Sequence, residues 1–246
     1  MGGTTTIPVE LTVFGGTLRA GIPVPSESVA LGDMLPVFQA VTEAVIHLSV
    51  KAAESQGKSV SCRAGCGACC RQFVPISPTE AAHLIRLVES MPEPRRSIVK
   101  QRFAEAAAAL NAGGLKEPLL APHLQPRERR RTIGLEYFAL RIPCPFLEDE
   151  SCSIHPDRPL ICREYLVTSP AERCTTLEDI DGVKLPHRPS LALSQMSEQP
   201  GDALIPTVPL TLIFEWAKTA PVAAPPRPGP QQMQQFLDNL TRTPAS

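Results

Sequence analysis

The sequence predicts an α+β fold that is mainly α, with an N-terminal β-hairpin, helical hairpins and long irregular loops that carry cysteines. Apolar and polar residues alternate over residues 5–24, which is the period of strands. In several later segments, apolar residues recur every three or four positions, which is the period of helices buried on one face. The 27 prolines among 246 residues are about twice the usual share, and they predict long irregular segments.

Residues 1–58 are predicted to form the hairpin and one helix. In the hairpin, Gly15-Gly16 separates the two alternating runs and supplies a turn, because glycine readily adopts positive φ. A helix from about Asp33 to Gln56 follows, with Pro36 in the first turn, where a helix tolerates proline. Two strands alone are marginally stable, so we expect the hairpin to pack on another element.

Residues 59–181 are predicted to form a cysteine-rich domain that includes a helical hairpin. Its first helix begins at Ser77-Pro78-Thr79-Glu80, which combines a serine cap, proline at the first position and glutamate at the third. The second helix spans about Glu93 to Asn111. Another helix begins near Arg127–Arg131, whose basic side chains we interpret as its solvated outer face.

Residues 182–246 are predicted to be a proline-rich extension with short helices, packed on the same domain. Apolar residues indicate helices over Val208–Lys218 and Gln231–Leu240. The intervening prolines indicate an extended linker over residues 221–230.

The eight cysteines fall in two groups. The first is Cys62, Cys66, Cys69 and Cys70, and the second is Cys144, Cys152, Cys162 and Cys174. Cys66-x-x-Cys69 has the spacing at which one tight turn points two thiolates at one ion. The N-terminus lacks the charged start and apolar core of a secretory signal, so a cytoplasmic location is expected, where metal explains dense cysteine better than disulfides. We therefore predict that all eight thiols are metal ligands, supplied by irregular loops that the metal organises.

The number of thiols leaves the type of centre open. Four thiolates complete a structural zinc site or hold an iron–sulfur cluster, so eight would serve two sites or one larger cluster. Cys69 and Cys70 are adjacent and their side chains diverge, so the two groups are expected to interleave rather than form separate sites. Ser169-Pro170-Ala171-Glu172 repeats the helix-start pattern and places Cys174 near a helix N-terminus, where the dipole stabilises a thiolate.

Several residues beside the cysteines could support such a centre. Arg63, Arg71, Arg158 and Arg163 could bond sulfur or backbone carbonyls and offset the negative charge of thiolates, although surface arginines would look the same in sequence. For His155 we expect a packing or hydrogen-bonding role rather than ligation, because eight thiols already suffice.

The combined pattern resembles a known family. It reads Cys62-x3-Cys66-x2-Cys69-Cys70, then Cys144-Pro-Phe-Leu, then Cys152-Ser-Ile-His155-x2-Arg158-Pro159-x2-Cys162-Arg163. This is similar to the YkgJ-type cysteine-cluster family over about residues 60–175, with all eight family cysteines matched. Many family members have tyrosine at the position of His155. The family is described as a zinc- or iron-chelating domain, and a related motif in flagellin lysine methylases is associated with an iron–sulfur cluster, so the resemblance implies metal binding.

Three functions remain open from the sequence. The first is a metal-binding protein in which iron, zinc or an iron–sulfur cluster has a structural or redox role. The second is a redox or group-transfer enzyme with an open metal position. Radical SAM enzymes are one such class and share the spacing of the first three cysteines. They usually carry an aromatic residue where this chain has Ala68, which argues against membership of that class. The third is an adaptor that docks a protein partner. The net charge of −1 favours no nucleic acid, and no apolar run approaches the roughly 18 residues of a membrane span.

Overall fold

The computed structural model describes residues 3–198, 202 and 204–242, so the ends of the predicted first and last regions lie outside the described residues. In this part of the chain the strands are β1 Thr4–Val13, β2 Gly16–Pro25, β3 Ser28–Val29, β4 Pro75–Ile76, β5 Leu147–Glu148, β6 Ser151–Cys152, β7 Val208–Pro209 and β8 Arg227–Pro228. The α-helices are α1 Leu35–Glu54, α2 Pro78–Ser90, α3 Arg95–Ala112, α4 Lys116–Leu120, α5 Arg127–Ala139, α6 Leu160–Glu164, α7 Pro189–Gln195, α8 Ile213–Trp216 and α9 Gly229–Thr241. The predicted fold class, α+β and mainly α, is confirmed.

The N-terminal hairpin pairs β1 with β2 in an antiparallel register that sets Val13 opposite Gly16. The turn is therefore Phe14-Gly15, one residue earlier than the predicted Gly15-Gly16. Both turn residues have positive φ, at 48° and 82°, which suits the two-residue turns that match strand twist. The hairpin buries one face, as alternation requires, and so packs on the rest of the chain.

The first hydrophobic cluster joins the hairpin to α1, α7 and α9. Helix α1 buries a stripe at helical spacing that includes Phe38, Val41 and Val45. Phe38 stacks on Phe236 of α9, with ring centroids 4.4 Å apart. The apolar face of the C-terminal helix is thus buried in the same core as the N-terminal hairpin.

Two further clusters lie around α2 and α3. Helix α2 begins with the capping box that the sequence predicts, in which the Ser77 hydroxyl accepts from the Glu80 N–H and the Glu80 carboxylate accepts from the Ser77 N–H. The cluster of α2, α3 and α8 includes the half-buried side chains of Cys144 and Cys152. The other cluster joins the end of α3 to α4 and α5, and it is centred on buried Tyr137.

Three predicted segments differ in the structure. The apolar run Val208–Lys218 begins as strand β7, which pairs with β4, and only Ile213–Trp216 is α-helical. Residues Ala171–Thr175 form a 3-10 turn rather than the start of an α-helix. The expectation that the second cysteine group lies only in irregular loops is wrong, because strand β6 and helix α6 each carry one of its members.

In the part of the chain that the structure describes, no helix has the length and apolar character needed to cross a membrane.

Candidate metal centre

The two cysteine groups meet in the structure. The backbone N–H of Cys144 donates to the carbonyl oxygen of Cys70 at 2.7 Å. The N–H of Val167 donates to the Sγ atom of Cys62 at 3.4 Å, while the Val167 carbonyl accepts from the N–H of Ser61 at 3.0 Å. Segments far apart in sequence are therefore joined by backbone contacts at the cysteines themselves.

The first group lies in a tight turn that needs its glycines. Gly65 has a φ of 81°, which L-residues rarely adopt. A Cβ atom on Gly67 would stand 2.6 Å from a carboxylate oxygen of Glu150 and 3.2 Å from its Cα atom. The guanidinium of Arg71 donates to the Gly67 carbonyl at 3.0 Å and to Glu150 at 2.6 Å. The turn is therefore pressed against the loop that joins β5 to β6.

Three members of the second group lie in short elements, and Cys144 lies in the loop before β5. Cys152 lies in β6, opposite Leu147 of β5, and Cys162 is the third residue of α6. Cys174 lies in the 3-10 turn Ala171–Thr175, which contacts the 3-10 turn Ala68–Arg71 of the first group. Short elements thus bring the later cysteines beside the earlier ones.

The thiols lie close enough to one another to interact electrostatically. Cys69 interacts in this way with Cys62, Cys70, Cys144, Cys152, Cys162 and Cys174. The remaining member, Cys66, interacts with Cys62 and Cys174. All eight predicted ligand residues are therefore brought into one neighbourhood, and all eight are free thiols rather than disulfides.

The protein environment favours the protonated form of several of these thiols. A hydrogen bond with the Cys70 thiol, reinforced by burial, raises the pKa of Cys69. Burial raises the pKa of Cys144 to about 12. It also raises the pKa of Cys162, which has Cys144 and Cys69 as neighbours. A group of thiolates at this position therefore needs compensating positive charge.

Arg158 is the arginine most closely associated with the thiols. Its Nε atom is buried and, within the described residues, has no hydrogen-bond partner. Burial raises the pKa of Cys62 and Cys152, and the charge of Arg158 partly opposes that rise, as it also does for the raised pKa of Cys69. A buried donor without an acceptor is unusual and costly. The donor and the free thiols together fit a metal–thiolate centre that is negative overall, because the charge of four thiolates exceeds that of one divalent ion.

The other predicted support residues have different surroundings. Arg163 is buried, and it donates to Glu43 at 2.6 Å and to backbone carbonyls rather than to sulfur. Arg71 holds the first turn through Glu150, as described above. Arg63 and His155 are exposed, and the nearby charge of Arg158 lowers the pKa of His155.

The thiols are neighbours without forming a ready-made coordination shell. Among the residues that the structure describes, no three His, Cys, Asp or Glu side chains are arranged as a metal-binding group. Metal coordination at this place would therefore require thiol side chains to turn toward a common point. A cysteine side chain can make this change by rotating from one staggered conformation to another.

Sequence reasoning missed several polar residues near the cysteines. Tyr165 accepts a hydrogen bond from Gln72 at 3.2 Å, and its hydroxyl partly opposes the rise that burial causes in the pKa of Cys174. Buried carboxylates of Glu80 and Glu164 each accept hydrogen bonds from a distant segment. Glu164 and Tyr165 directly follow Cys162-Arg163 at the end of the motif, and this position was the signal available in the sequence. The sequence contains no signal for the bond from Glu80 to Leu160.

Comparison with known families agrees with the cysteine pattern. Residues 61–181 match the family model CxxCxxCC, described as "Putative zinc- or iron-chelating domain". The predicted resemblance to a cysteine-cluster family is confirmed over that stretch, which contains all eight cysteines. No curated protein and no solved structure matches the chain significantly.

Proposed function

We propose that the CxxCxxCC domain of residues 61–181 binds zinc or iron, as ions or as an iron–sulfur cluster, through its eight cysteine thiolates. The proposed ligands are Cys62, Cys66, Cys69, Cys70, Cys144, Cys152, Cys162 and Cys174. The observation that carries the proposal is the meeting of two distant cysteine groups, which are joined where the Cys144 N–H donates to the Cys70 carbonyl and the Val167 N–H donates to the Cys62 sulfur. The free state of all eight thiols is typical of a reducing compartment and supports a cytoplasmic location.

Arg158 is proposed to donate from its Nε atom to the bound centre. That donor is a buried polar atom for which the described residues supply no acceptor. Hydrogen bonds from neighbouring groups hold metal ligands in orientation and tune the metal. Arg163, Arg71 and Arg63 are proposed to act more indirectly, by fixing backbone or by contributing positive charge.

The identity of the metal would decide the role. A zinc ion would cross-link the cysteine segments and give a structural site. An iron–sulfur cluster would supply one-electron chemistry and give an electron-transfer or redox-sensing site. A coordination shell that lacks one protein ligand would instead favour the alternative, which is a redox or group-transfer enzyme with an open metal position.

The adaptor alternative depends on an exposed face. The apolar side of α9 is buried and is not available to a partner. Helix α5 instead exposes Leu135, which is 63% accessible, next to the basic side chain of Arg131. This face is where a protein partner would dock if the metal has only a structural role.

The first experiment is elemental analysis of the chain purified anaerobically, with an absorption spectrum of the same sample. We expect stoichiometric zinc in a colourless sample, or iron in a coloured one. Cys66→Ser combined with Cys162→Ser should lose metal, whereas His155→Ala, which changes an exposed residue near the same cysteines, should retain it. A chain that holds neither metal after purification and after anaerobic reconstitution would refute the proposal.

A further inference from the structure

Glu80 caps α2 and also makes a second connection that a capping residue does not need. Its side chain is buried, with 4% of the residue exposed. One carboxylate oxygen, Oε2, accepts from the N–H of Ser77 at 2.9 Å and from the Ser77 hydroxyl at 2.8 Å. These two bonds complete the capping box of α2, which a solvent-exposed glutamate could equally provide.

The other oxygen of the same carboxylate reaches a different part of the chain. Oε1 accepts from the backbone N–H of Leu160 at 2.7 Å. Leu160 is the first residue of α6, and Cys162 is the third. Burying a carboxylate is costly unless its oxygens are well bonded. The buried position of Glu80 is therefore explained by the bond to α6 rather than by the cap of α2.

Helix α6 depends on such outside contacts for its position. It has 5 residues, and helices of this length are not stable by themselves. Glu80 holds its N-terminal end. At its C-terminal end, the carboxylate of Glu164 accepts from the N–H and the hydroxyl of Ser190, at 2.5 and 2.7 Å. A displacement of the Leu160 N–H would therefore move the thiol of Cys162.

We infer that Glu80 is a positioning residue of the proposed metal centre, which fixes the Cys162 thiol by holding the first N–H of α6. The inference rests on the proposed function, because it assigns a role in metal binding. Glu80 lies close enough to the Cys162 thiol for the two to interact electrostatically, which places the carboxylate beside the centre but outside the proposed ligand set.

The discriminating variant is Glu80→Gln. Glutamine keeps the size of the side chain but has only one oxygen, so it cannot accept from both Ser77 and Leu160. The matched control is Ser77→Ala, which weakens the same cap and leaves the Glu80–Leu160 bond intact. Both variants and the wild type are loaded with Co²⁺ anaerobically, and the sulfur-to-cobalt charge-transfer absorption is recorded. The affinity for Co²⁺ is measured by titration, and folding of the metal-free proteins by circular dichroism.

We expect Glu80→Gln to reduce the charge-transfer intensity and to weaken Co²⁺ binding about 10- to 100-fold, the usual effect of losing an outer-shell partner. Ser77→Ala should keep the wild-type spectrum. If Glu80→Gln does not fold, Glu80→Asp replaces it, because the shorter carboxylate cannot span both partners and the same loss is expected. An unchanged spectrum in the Glu80 variant, or an equal change in Ser77→Ala, overturns the inference alone. A wild-type chain that binds no Co²⁺, Zn²⁺ or iron overturns the proposed function and the inference together.

Discussion

Replacing Arg163 with lysine tests how the backbone around the second cysteine group is held. The side chain of Arg163 is only 9% exposed. It donates to the Arg158 carbonyl at 2.9 Å, to the Pro156 carbonyl, and to the Glu43 carboxylate at 2.6 Å. One planar group therefore joins helix α1 to the loop that precedes α6. Lysine keeps the charge but not the fork of donors.

The expected cost follows from the bonds that lysine cannot make. Its ammonium group can keep the ion pair with Glu43 but loses the two bonds to the carbonyls of Pro156 and Arg158. Hydrogen bonds to charged groups contribute about 1.5–3 kcal/mol when both partners are buried. The two carbonyls belong to residues that are exposed or half-buried, so water replaces part of each loss. We estimate a loss of about 1 kcal/mol for each bond, or about 2 kcal/mol in the free energy of unfolding.

Urea unfolding of the chelator-treated chain measures this difference without a contribution from metal. A loss of about 2 kcal/mol should also lower the Tm by about 4–8 °C in a chain of this size. Arg19→Lys is the control, because the Arg19–Glu10 pair is largely exposed, at 75% and 61% of the side chains, and should change stability by less than about 0.5 kcal/mol. Equal stability of the Arg163 and Arg19 variants would refute the role assigned to the guanidinium.

Three other predictions concern the centre and its surroundings. Cys69→Ser should lose more metal than Cys66→Ser in elemental analysis, because Cys69 lies in the 3-10 turn that contacts the turn carrying Cys174 and Cys66 lies outside it; equal losses would contradict this. Zn²⁺ affinity should keep rising as the pH is raised from neutral to alkaline, because burial raises the pKa of Cys144 to about 12 and a thiol that binds as a thiolate must release its proton; a pH-independent affinity with no proton release would contradict this. Gly134→Ala in α5 should raise the free energy of unfolding by about 0.5–1 kcal/mol, since a Cβ atom there meets nothing within 4 Å; a destabilised variant in urea unfolding would contradict it.

Features that depend on local sequence were predictable, and features that depend on distant pairing were not. The capping box at Ser77 and Glu80 could be read from four consecutive residues. The bond from Glu80 to Leu160 could not, because no periodicity or spacing connects residues so far apart. Strand β6 and helix α6 are too short to produce a periodic signal, so Cys152 and Cys162 were assigned to loops.

The apolar run that begins at Val208 shows the same limit in a different form. Its composition suits a helix, but in the structure its first two residues pair with β4, which precedes α2. Pairing with a distant strand overrides local preference whenever it buries the same side chains and satisfies the backbone. The eight cysteines, by contrast, were predictable as candidates from spacing, because chelating side chains must occur close together in sequence or be brought together by the fold.

The backbone near the cysteines is held by contacts that do not involve sulfur. The first turn is held by the Arg71–Glu150 pair, the loop before α6 by Arg163, and the start of α6 by Glu80. Hydrophobic packing of Cys144 and Cys152 adds to these contacts. Many small metal-dependent domains, by contrast, unfold when the metal is removed. We therefore expect chelation to lower the Tm of this chain while its helical circular dichroism at 25 °C is retained. Loss of most helical signal on chelation would mean that these polar contacts form only after metal has drawn the thiols together.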